Sequence, residues 1–452
     1  NGSGKSPALL TKEHVLKKHG PIEQMPRYGW TPVTTPGAVK AWVDLHERFG
    51  VLAFEELLQP AIDLAQNGFV VGDEIAKNWQ NAMKRYKSMD QDDFSEIIKT
   101  FTKNNEAPLK RTLFTLSNHA KTLQSIAQTK GKSFYEGELA DKIEASSIKH
   151  GGFIRKADLM NHQSVWVDPV SVSYRGYDVY ELPPNGHGIV ALMGLNILNQ
   201  YPFEGKNEED VHRCFEAMKL AFASGKHFIS DPEQMKVDVK SLLSEDYAKQ
   251  MKASIGDEAQ MPIVHYPYQG GTVYLCTADK DGNMVSFIQS NYNGFGSGIV
   301  VEDTGIALQN RGVDFSLNEE AVNFLQPNKR SYHTIIPGFL AQGKRLIGPF
   351  GVMGGYMQPQ GHLQVIRNMI DMDMNPQQAL DEPRWQWIEG KKFIVEKHFD
   401  VEMMEALKKR GHMIEIEENH SRFGRGQIIL RLENDLYLVG CESRCDANIA
   451  IY

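Results

Sequence analysis

Two glycines followed by a threonine, Gly270-Gly271-Thr272, begin an apolar run and are the residues best suited to chemistry in this chain. The carbonyl of Gly271 is unhindered and glycine tolerates strained backbone angles, so the Thr272 hydroxyl can attack the preceding peptide bond. Cleavage there would expose an α-amino group with a pKa of about 8, which can serve as the base for the threonine's own hydroxyl. We therefore predict that the Gly271–Thr272 bond is a self-cleavage site and that Thr272 is the nucleophile of an amide-cleaving enzyme.

A second glycine pair, Gly354-Gly355, precedes a stretch in which apolar residues recur at helical spacing. Paired backbone N–H groups at the start of a helix can hold the oxyanion that forms during amide cleavage. The alternative is a tight turn that only glycine can adopt, and the sequence alone does not decide between the two.

Other patterns resemble functional motifs but lack the surroundings that those motifs need. Gly4-Lys5-Ser6 is not preceded by the glycine and strand of a phosphate-binding loop, and the glycines of 294–298 are not followed by the helix of a dinucleotide-binding turn. Cys441 and Cys445 have no further residues nearby to complete a zinc site. We expect neither a metal nor an organic cofactor.

The elements that must position these residues alternate between helices and strands. Helical spacing of apolar residues predicts helices over 35–50, 54–68, 207–222, 356–370 and 400–410. Alternation and β-branched residues predict strands over 170–182, 272–278, 284–290, 296–301, 304–308, 333–340, 427–432 and 436–440. Asp281-Gly282 indicates a tight hairpin, and 260–269, with two prolines, indicates a linker before the predicted cut. Helices, then strands, then helices again indicate an α+β fold with sheets between helical layers.

The composition limits the classes of function. At 452 residues, with 41% hydrophobic and 23% charged residues, the chain can bury a large core as one layered unit or as several domains. A net charge of −8 argues against nucleic acid as a partner, and no apolar run approaches the roughly 18 residues of a membrane span. The beginning of the chain does not identify its compartment, and we slightly favour a cytoplasmic protein over a secreted one.

Many ordered motifs make the chain similar to the γ-glutamyltransferase (glutathione hydrolase) family. The segments that resemble the family's small subunit are 271–283, 295–298, 305–306, 314–316, 328–330 and the ending 440–452. Its large subunit is resembled by 36–37, 59–69, 134–138, 174–177 and 231–232. The resemblance covers nearly the whole chain.

This resemblance implies a four-layer αββα sandwich of the N-terminal-nucleophile hydrolase type. It also implies a precursor cut into a large-subunit part, 1–271, and a small-subunit part, 272–452, which together form one αββα unit and could assemble as a homodimer. By position, Thr272 is the catalytic threonine, Ser290 the hydroxyl that hydrogen-bonds it, and Gly354 and Gly355 the oxyanion hole. An acyl group carried on Thr272 would then be released by water or by an amine.

The resemblance further implies substrate-binding positions, several of which hold unusual residues. Asp314 stands where an acidic residue holds the substrate's α-amino group. Lys5 is the cation nearest to the position at which the family has its carboxylate-binding arginine. Tyr292 stands where the family has an asparagine, and Arg311 stands where it has a glutamine or similar residue. His333-Thr334 replaces a serine pair beside the acyl pocket.

We predict a self-processing amidohydrolase that cleaves γ-glutamyl-type amides of small molecules. Hydrolysis is favoured over transpeptidation because 317–326 is short and the family's lid loop is absent. Because the Arg311 cation disfavours a substrate ammonium, an acylase or amidase for a non-amino acyl group, of the glutaryl (cephalosporin) or oxamate type, is the alternative. A third hypothesis, from another class, is a non-processing and catalytically silent binding protein, in which Thr272 is an ordinary strand residue.

Overall fold

The computed structural model describes residues 2–89, 91–262 and 271–452 and combines helices with β-sheets. The chain forms two compact units: unit 1 comprises Asn1–Trp166 and Asn291–His333, and unit 2 comprises Val167–Ser290 and Thr334–Tyr452. This division is spatial, whereas the predicted subunit boundary between residues 271 and 272 is a covalent cut, which stays a prediction. None of the helices in the described part of the chain has the length and the continuous apolar character that a membrane span requires.

Unit 1 is mainly helical and packs around aromatic side chains. Its elements are α1 (Lys12–His19), α2 (Ala38–Phe49), α3 (Phe54–Asn67), β1 (Phe69–Val70), α4 (Asp73–Lys87), α5 (Gln91–Phe101), β2 (Leu113–Phe114), α6 (Ser117–Thr129), α7 (Lys132–Tyr135), α8 (Glu138–Lys149) and α9 (Lys156–Met160). Trp79 on α4 packs against the rings of Phe101, Phe114 and Phe295, with centroids 4.9–5.8 Å away. Phe295 belongs to the second segment of unit 1, so this cluster joins the two segments around one core.

Unit 2 contains the sheets. Its elements are β3 (Val170–Tyr174), β4 (Tyr177–Glu181), α10 (Gly188–Leu198), α11 (Glu208–Phe228), α12 (Val239–Leu242), α13 (Glu245–Ala253), β5 (Gly271–Ala278), β6 (Met284–Tyr292, whose last two residues belong to unit 1), β7 (Gly338–Gln342), β8 (Arg345–Met353), α14 (Met357–Ile370), α15 (Pro376–Asp381), β9 (Trp385–Glu389), β10 (Lys392–Glu396), α16 (Val401–Lys409), β11 (Met413–Glu417), β12 (Arg425–Arg431) and β13 (Tyr437–Cys441). The order β13-β12-β8-β7-β4-β3 forms a six-stranded sheet in which every neighbouring pair is antiparallel. Strands β11, β10 and β9 form a smaller sheet, and β5 pairs with β6.

The two faces of the six-stranded sheet carry different layers. On β8, a Cβ built on Gly351 would lie 2.6 Å from the ring of Tyr274 on β5, so this face packs against the β5–β6 hairpin. A Cβ built on Gly361 of α14 would lie 2.6 Å from the side chain of Val352, the next residue of β8. Because successive side chains of a strand point to opposite faces, the hairpin and α14 lie on opposite sides of the sheet.

The helical layer of unit 2 is closely packed because small residues permit it. All eleven residues of α10 are buried, which is typical of a helix enclosed on every side. A Cβ built on Gly194 of α10 would lie 2.9 Å from Leu363 of α14 and 3.0 Å from Met218 of α11. Glycine at this position therefore lets the three helices meet.

Local capping signals predicted several elements well. The Asn207 side chain accepts from the backbone N–H of Asp210 at the start of α11, and the Asp400 side chain accepts from that of Met403 at the start of α16. The hairpin predicted around Asp281-Gly282 is present as β5–β6. The predicted linker 260–269 is described only as far as residue 262.

Other predicted elements differ from the structure for reasons of backbone geometry. The expected single strand 170–182 is two strands, because Arg175 and Gly176 adopt positive φ and turn the chain between β3 and β4. The expected strands 296–301 and 304–308 are reduced to one bridge between Val300 and Ala307. The strand expected from 333 begins only at residue 338, and helix α2 begins at residue 38, after Gly37 rather than at Thr35.

Candidate active site

The predicted nucleophile lies at the beginning of β5 beside a second hydroxyl. Thr272 is buried, and its Oγ1 lies 2.9 Å from Ser290 Oγ on β6. Ser290 Oγ lies 2.9 Å from the carbonyl oxygen of Gly271, the residue before the threonine. The structure therefore brings together the predicted nucleophile, its predicted hydroxyl partner and the carbonyl of the bond predicted to be cut.

The direction of these two hydrogen bonds follows from the atoms involved. A carbonyl oxygen can only accept, so the Ser290 hydroxyl donates to Gly271. A hydroxyl has one proton, so Thr272 must be the donor in the bond to Ser290. The result is a relay in which the Thr272 proton points at Ser290 and the Ser290 proton polarises the Gly271 carbonyl.

The hairpin that carries this relay is fixed by residues further along both strands. Thr272 and Tyr274 are buried while Val273 between them is exposed, as alternation along a strand requires. The Tyr274 hydroxyl lies 2.8 Å from Ser286 Oγ on β6, and burial raises the pKa of this phenol well above its ordinary value. The turn is closed by the Asp279 carboxylate, which accepts from neighbouring backbone N–H groups.

The second glycine pair forms the turn between β8 and α14. Gly354 has φ 150° and Gly355 has φ 62°, values that favour glycine. Their carbonyls accept from the backbone N–H groups of Met357 and Gln358 in the first turn of α14. Within the described residues, the N–H groups of both glycines donate to no protein acceptor, so they are available to an anion. An oxyanion-binding role for them stays a prediction.

A buried ion pair between Arg384 and Glu442 holds the segment of Gly424, which packs against this turn. A Cβ built on Gly354 would lie 3.0 Å from the Cα of Gly424, so glycine is also needed for close approach. Arg384 donates to the Gly424 carbonyl at 3.1 Å and to the Glu442 carboxylate at 2.8 Å. Burial acts to raise the pKa of Glu442, but Arg384 and Arg444 outweigh it and hold that pKa below its ordinary value. The pair therefore stays charged at neutral pH and anchors the segment behind the turn.

Thr334, predicted to lie beside the acyl pocket, is fully buried in unit 2. Its carbonyl accepts from Nε2 of His187 at 3.1 Å, which fixes the tautomer of that ring. Sequence reasoning missed His187, because 147 residues separate it from Thr334 and no local pattern links the two.

Three of the predicted substrate-binding residues meet in unit 1. The Tyr292 hydroxyl donates to the Asp314 carboxylate at 3.0 Å. The Arg311 guanidinium lies over the Tyr292 ring, 4.5 Å from its centroid, and Arg311 is only 2% exposed. Asp314 therefore already binds a hydroxyl donor, and a buried cation lies on that same tyrosine.

The remaining two predicted residues of unit 1 lie on neighbouring segments. Lys5 forms a backbone bridge with Arg330, and Ser3 Oγ donates to the Ser331 carbonyl at 2.7 Å. A Cβ built on Gly2 would lie 2.0 Å from His333 Nε2, so the first residues run directly past His333. The structure thus brings the segments of Lys5 and His333 together, and their substrate-binding roles stay predictions.

One buried cluster has the residue types of a metal site. Within the described residues, His212, Glu216 and His412 lie close enough to share an ion. However, His212 Nε2 donates to the Gly256 carbonyl at 2.8 Å, so its Nδ1 accepts from His412 Nε2 at 2.8 Å. The Lys219 ammonium, 2.5 Å from the Glu216 carboxylate, already supplies the cation. We therefore interpret the cluster as a buried ion-pair network, and the absence of a metal stays a prediction.

Comparison with known proteins gives consistent matches over the length of the chain. The glutathione hydrolase-like YwrD proenzyme of Bacillus subtilis (strain 168) is 35% identical over 451 residues, which cover 97% of this chain and 84% of that protein. The oxamate amidohydrolase proenzyme of Klebsiella pneumoniae is 30% identical over 467 residues, covering 100% of this chain and 86% of that protein. These relatives are enzymes that are named as precursors.

A solved structure shares the fold of this chain. The crystal structure of cephalosporin acylase from Bacillus halodurans superposes with a TM-score of 0.96 at 48% identity, covering 100% of this chain and 84% of that one. This likeness confirms the predicted α+β fold class, the αββα sandwich of N-terminal-nucleophile hydrolases. The family model for gamma-glutamyltranspeptidase matches residues 1–452. The chain therefore belongs to the gamma-glutamyltranspeptidase family.

Proposed function

We propose that this chain is a self-processing amidohydrolase that uses Thr272, once it is an N-terminal residue, as its nucleophile. The observation that carries the proposal is the relay from Thr272 through Ser290 to the Gly271 carbonyl, with both distances at 2.9 Å. Proenzyme relatives and an acylase structure at 48% identity support it.

The self-cut begins when Thr272 Oγ1 attacks the carbonyl carbon of Gly271. The Thr272 proton leaves toward Ser290, while the Ser290 proton stabilises the charge that grows on the carbonyl oxygen. The C–N bond breaks once the new C–O bond has formed, and the departing nitrogen takes up the proton that Thr272 released through Ser290, which gives an ester on Thr272 and a free α-amine. Water then hydrolyses the ester and leaves a carboxylate on Gly271 and a free hydroxyl on Thr272.

The same threonine then attacks the substrate amide. Its α-amine, with a pKa of about 8, accepts the hydroxyl proton and passes it to the leaving amine. The N–H groups of Gly354 and Gly355 hold the oxyanion in this proposal. Water then hydrolyses the resulting acyl-enzyme. In this proposal, the large-subunit and small-subunit parts of one precursor together form the hydrolase.

Hydrolysis rather than transfer is supported by the loop that follows Asp314. Ser316 donates from its backbone N–H to the Asn323 carbonyl at 2.9 Å, and Leu325 donates to the Ser316 carbonyl at 2.9 Å. Asn323 Nδ2 donates to the Asp314 carbonyl at 2.7 Å. This loop is short and closed on itself, which supports the prediction that the family's lid loop is absent.

Three acyl groups are candidates, and each carries a carboxylate; the oxamate type is the smallest of them. γ-Glutamyl amides are the first. Glutaryl-type amides, which lack the α-amine, are the second and are favoured by the contacts of Asp314. The Tyr292 hydroxyl already binds this carboxylate, and the Arg311 cation on the Tyr292 ring repels an ammonium.

A substrate panel tests this proposal. Purified protein is given γ-glutamyl anilide, glutaryl anilide and oxamate, and kcat/KM is measured for each. We expect the glutaryl anilide to be cleaved best and Thr272→Ala to cleave none. Higher kcat/KM for the γ-glutamyl anilide, with loss of that activity in Asp314→Ala, would show that the α-amine is recognised after all. Absence of turnover of all three by a protein that also stays uncut would favour the silent binding protein.

A further inference from the structure

Two fully buried side chains hold the segment that begins at Thr334. His187 Nε2 donates to the Thr334 carbonyl at 3.1 Å, and Gln358 Oε1 accepts from the backbone N–H of Ile336 at 3.3 Å. Both side chains are 0% exposed. A carbonyl can only accept and an amide N–H can only donate, so each bond has one direction and each side chain one orientation.

The same two residues also contact the glycine turn at the start of α14. Gln358 is the second residue of α14, and its own N–H donates to the Gly355 carbonyl at 3.0 Å. The His187 ring packs edge-on against Tyr356, the residue after Gly355, with ring centroids 5.8 Å apart. Each residue therefore contacts both the Thr334 segment and the turn that follows β8, His187 through its ring and Gln358 through its side chain and its backbone N–H.

Tyr356 gives His187 a fixed surface to pack against. Tyr356 is 3% exposed, and its hydroxyl accepts from the Lys226 ammonium at 2.7 Å. The same ammonium lies 4.8 Å from the centre of the Tyr356 ring. Because the Lys226 ammonium contacts both the hydroxyl and the ring, Tyr356 has little freedom to move if His187 is displaced.

We propose that His187 and Gln358 are positioning residues that keep Thr334 in register with the turn of Gly354 and Gly355. The inference rests on the proposed function, in which the turn holds the oxyanion, and on the predicted place of Thr334 beside the acyl pocket. Within the described residues, neither side chain hydrogen-bonds Thr272, so both act through the segments they hold. If the register is lost, the acyl carbonyl no longer lies where the oxyanion donors point.

The test compares a variant that keeps the donor with one that removes it. His187→Gln retains an N–H that can reach the Thr334 carbonyl, whereas His187→Leu fills similar space without a donor. A small misplacement at a reacting centre costs about 100-fold in rate, so we expect His187→Leu to lower kcat/KM by about that factor. We expect His187→Gln to stay within about fivefold of the parent at the same melting temperature as His187→Leu.

Gln358→Met supplies an independent measurement, because it removes the acceptor for Ile336 at nearly constant volume. We expect at least a tenfold lower kcat/KM without loss of the folded state. The double variant His187→Leu/Gln358→Met should lose less than the product of the two single losses, because both bonds hold one segment. If His187→Leu does not fold, the comparison of Gln358→Met with the parent decides alone.

Two results would overturn the inference. Equal loss of activity in His187→Gln and His187→Leu, in step with melting temperature, would assign His187 a purely structural role. Unchanged kcat/KM in Gln358→Met would show that the segment needs no such support. A parent that is uncut or cleaves no anilide rejects the proposed function and this inference together, whereas an active parent with unaffected variants rejects this inference alone.

Discussion

Ser290→Ala should slow the self-cut strongly without changing the fold. Ser290 Oγ makes two hydrogen bonds of 2.9 Å, one to Thr272 Oγ1 and one to the Gly271 carbonyl. The variant removes both at once, because alanine has neither a donor nor an acceptor on its side chain. The Thr272 proton loses its receiver, and the carbonyl that is attacked loses its hydrogen-bond donor.

The magnitude follows from the second of these losses. Removing one preorganised donor from a developing oxyanion costs about 10²–10³ in rate, or about 2.7–4 kcal/mol. Loss of the proton acceptor adds to that cost, so this range is a lower bound. A cut that the parent completes in minutes should take the variant hours to days. Ser290→Thr keeps the hydroxyl and suits a strand, so it should cut at close to the parental rate.

A timed translation reaction measures this rate directly. Protein made in a cell-free system is quenched in denaturant at intervals, and precursor and fragments are quantified by intact mass. Ser286→Ala is the matched control, since Ser286 lies on the same strand and its hydroxyl bonds Tyr274 at 2.8 Å instead of the relay. We expect Ser286→Ala to cut at the parental rate. The reasoning is refuted if Ser290→Ala keeps pace with Ser286→Ala.

Three further predictions concern turnover, specificity and pH. Gly354→Ala should lower anilide turnover about 100-fold, because the added Cβ lies 3.0 Å from Gly424 Cα, while Gly343→Ala, at a positive-φ glycine with open space, should leave turnover unchanged. Arg311→Gln should raise the ratio of γ-glutamyl to glutaryl kcat/KM about tenfold by removing the cation next to Tyr292, and an unchanged or lower ratio contradicts the charge argument. Burial lowers the pKa of His412 to about 3. As the pH is lowered from about 6.5 to about 3, the unfolded chain therefore binds a proton on this histidine before the folded chain does, and the free energy of unfolding decreases. His412→Gln should therefore flatten the pH dependence of the urea-unfolding free energy between about pH 3 and about pH 6.5, and an equally steep dependence would count against this reading.

The elements that sequence reasoning predicted are those with local signals. Asp281-Gly282 predicts the hairpin of β5 and β6. Asp400 at the start and Gly411 after the end predict helix α16. These signals act within a few residues, so the sequence around them suffices.

Strand β8 shows why other elements were missed. Its run contains Gly348, Pro349 and Gly351, which locally indicate a loop. The structure places the run at the centre of the sheet, where Gly351 leaves room for the Tyr274 ring. The requirement for a small residue comes from a side chain 77 positions away, and no local pattern carries it.

The residues of the candidate site were likewise predicted only where a local pattern or the family resemblance pointed to them. Thr272 and Ser290 were identified because the glycines before the threonine and the family resemblance both point to them. The contacts that give the other residues their character are long-range: Tyr292 with Asp314, His187 with Thr334 and Gln358 with Ile336. Such pairs depend on how the chain folds, and single-sequence reasoning has no access to them.

Intact mass under denaturing conditions tests most directly whether Thr272 becomes an N-terminal nucleophile. The purified parent should give two fragments, the second beginning at Thr272, whereas Thr272→Ala should give one intact chain. One intact mass for both proteins would contradict the mechanism, because Thr272 would then never become an N-terminus.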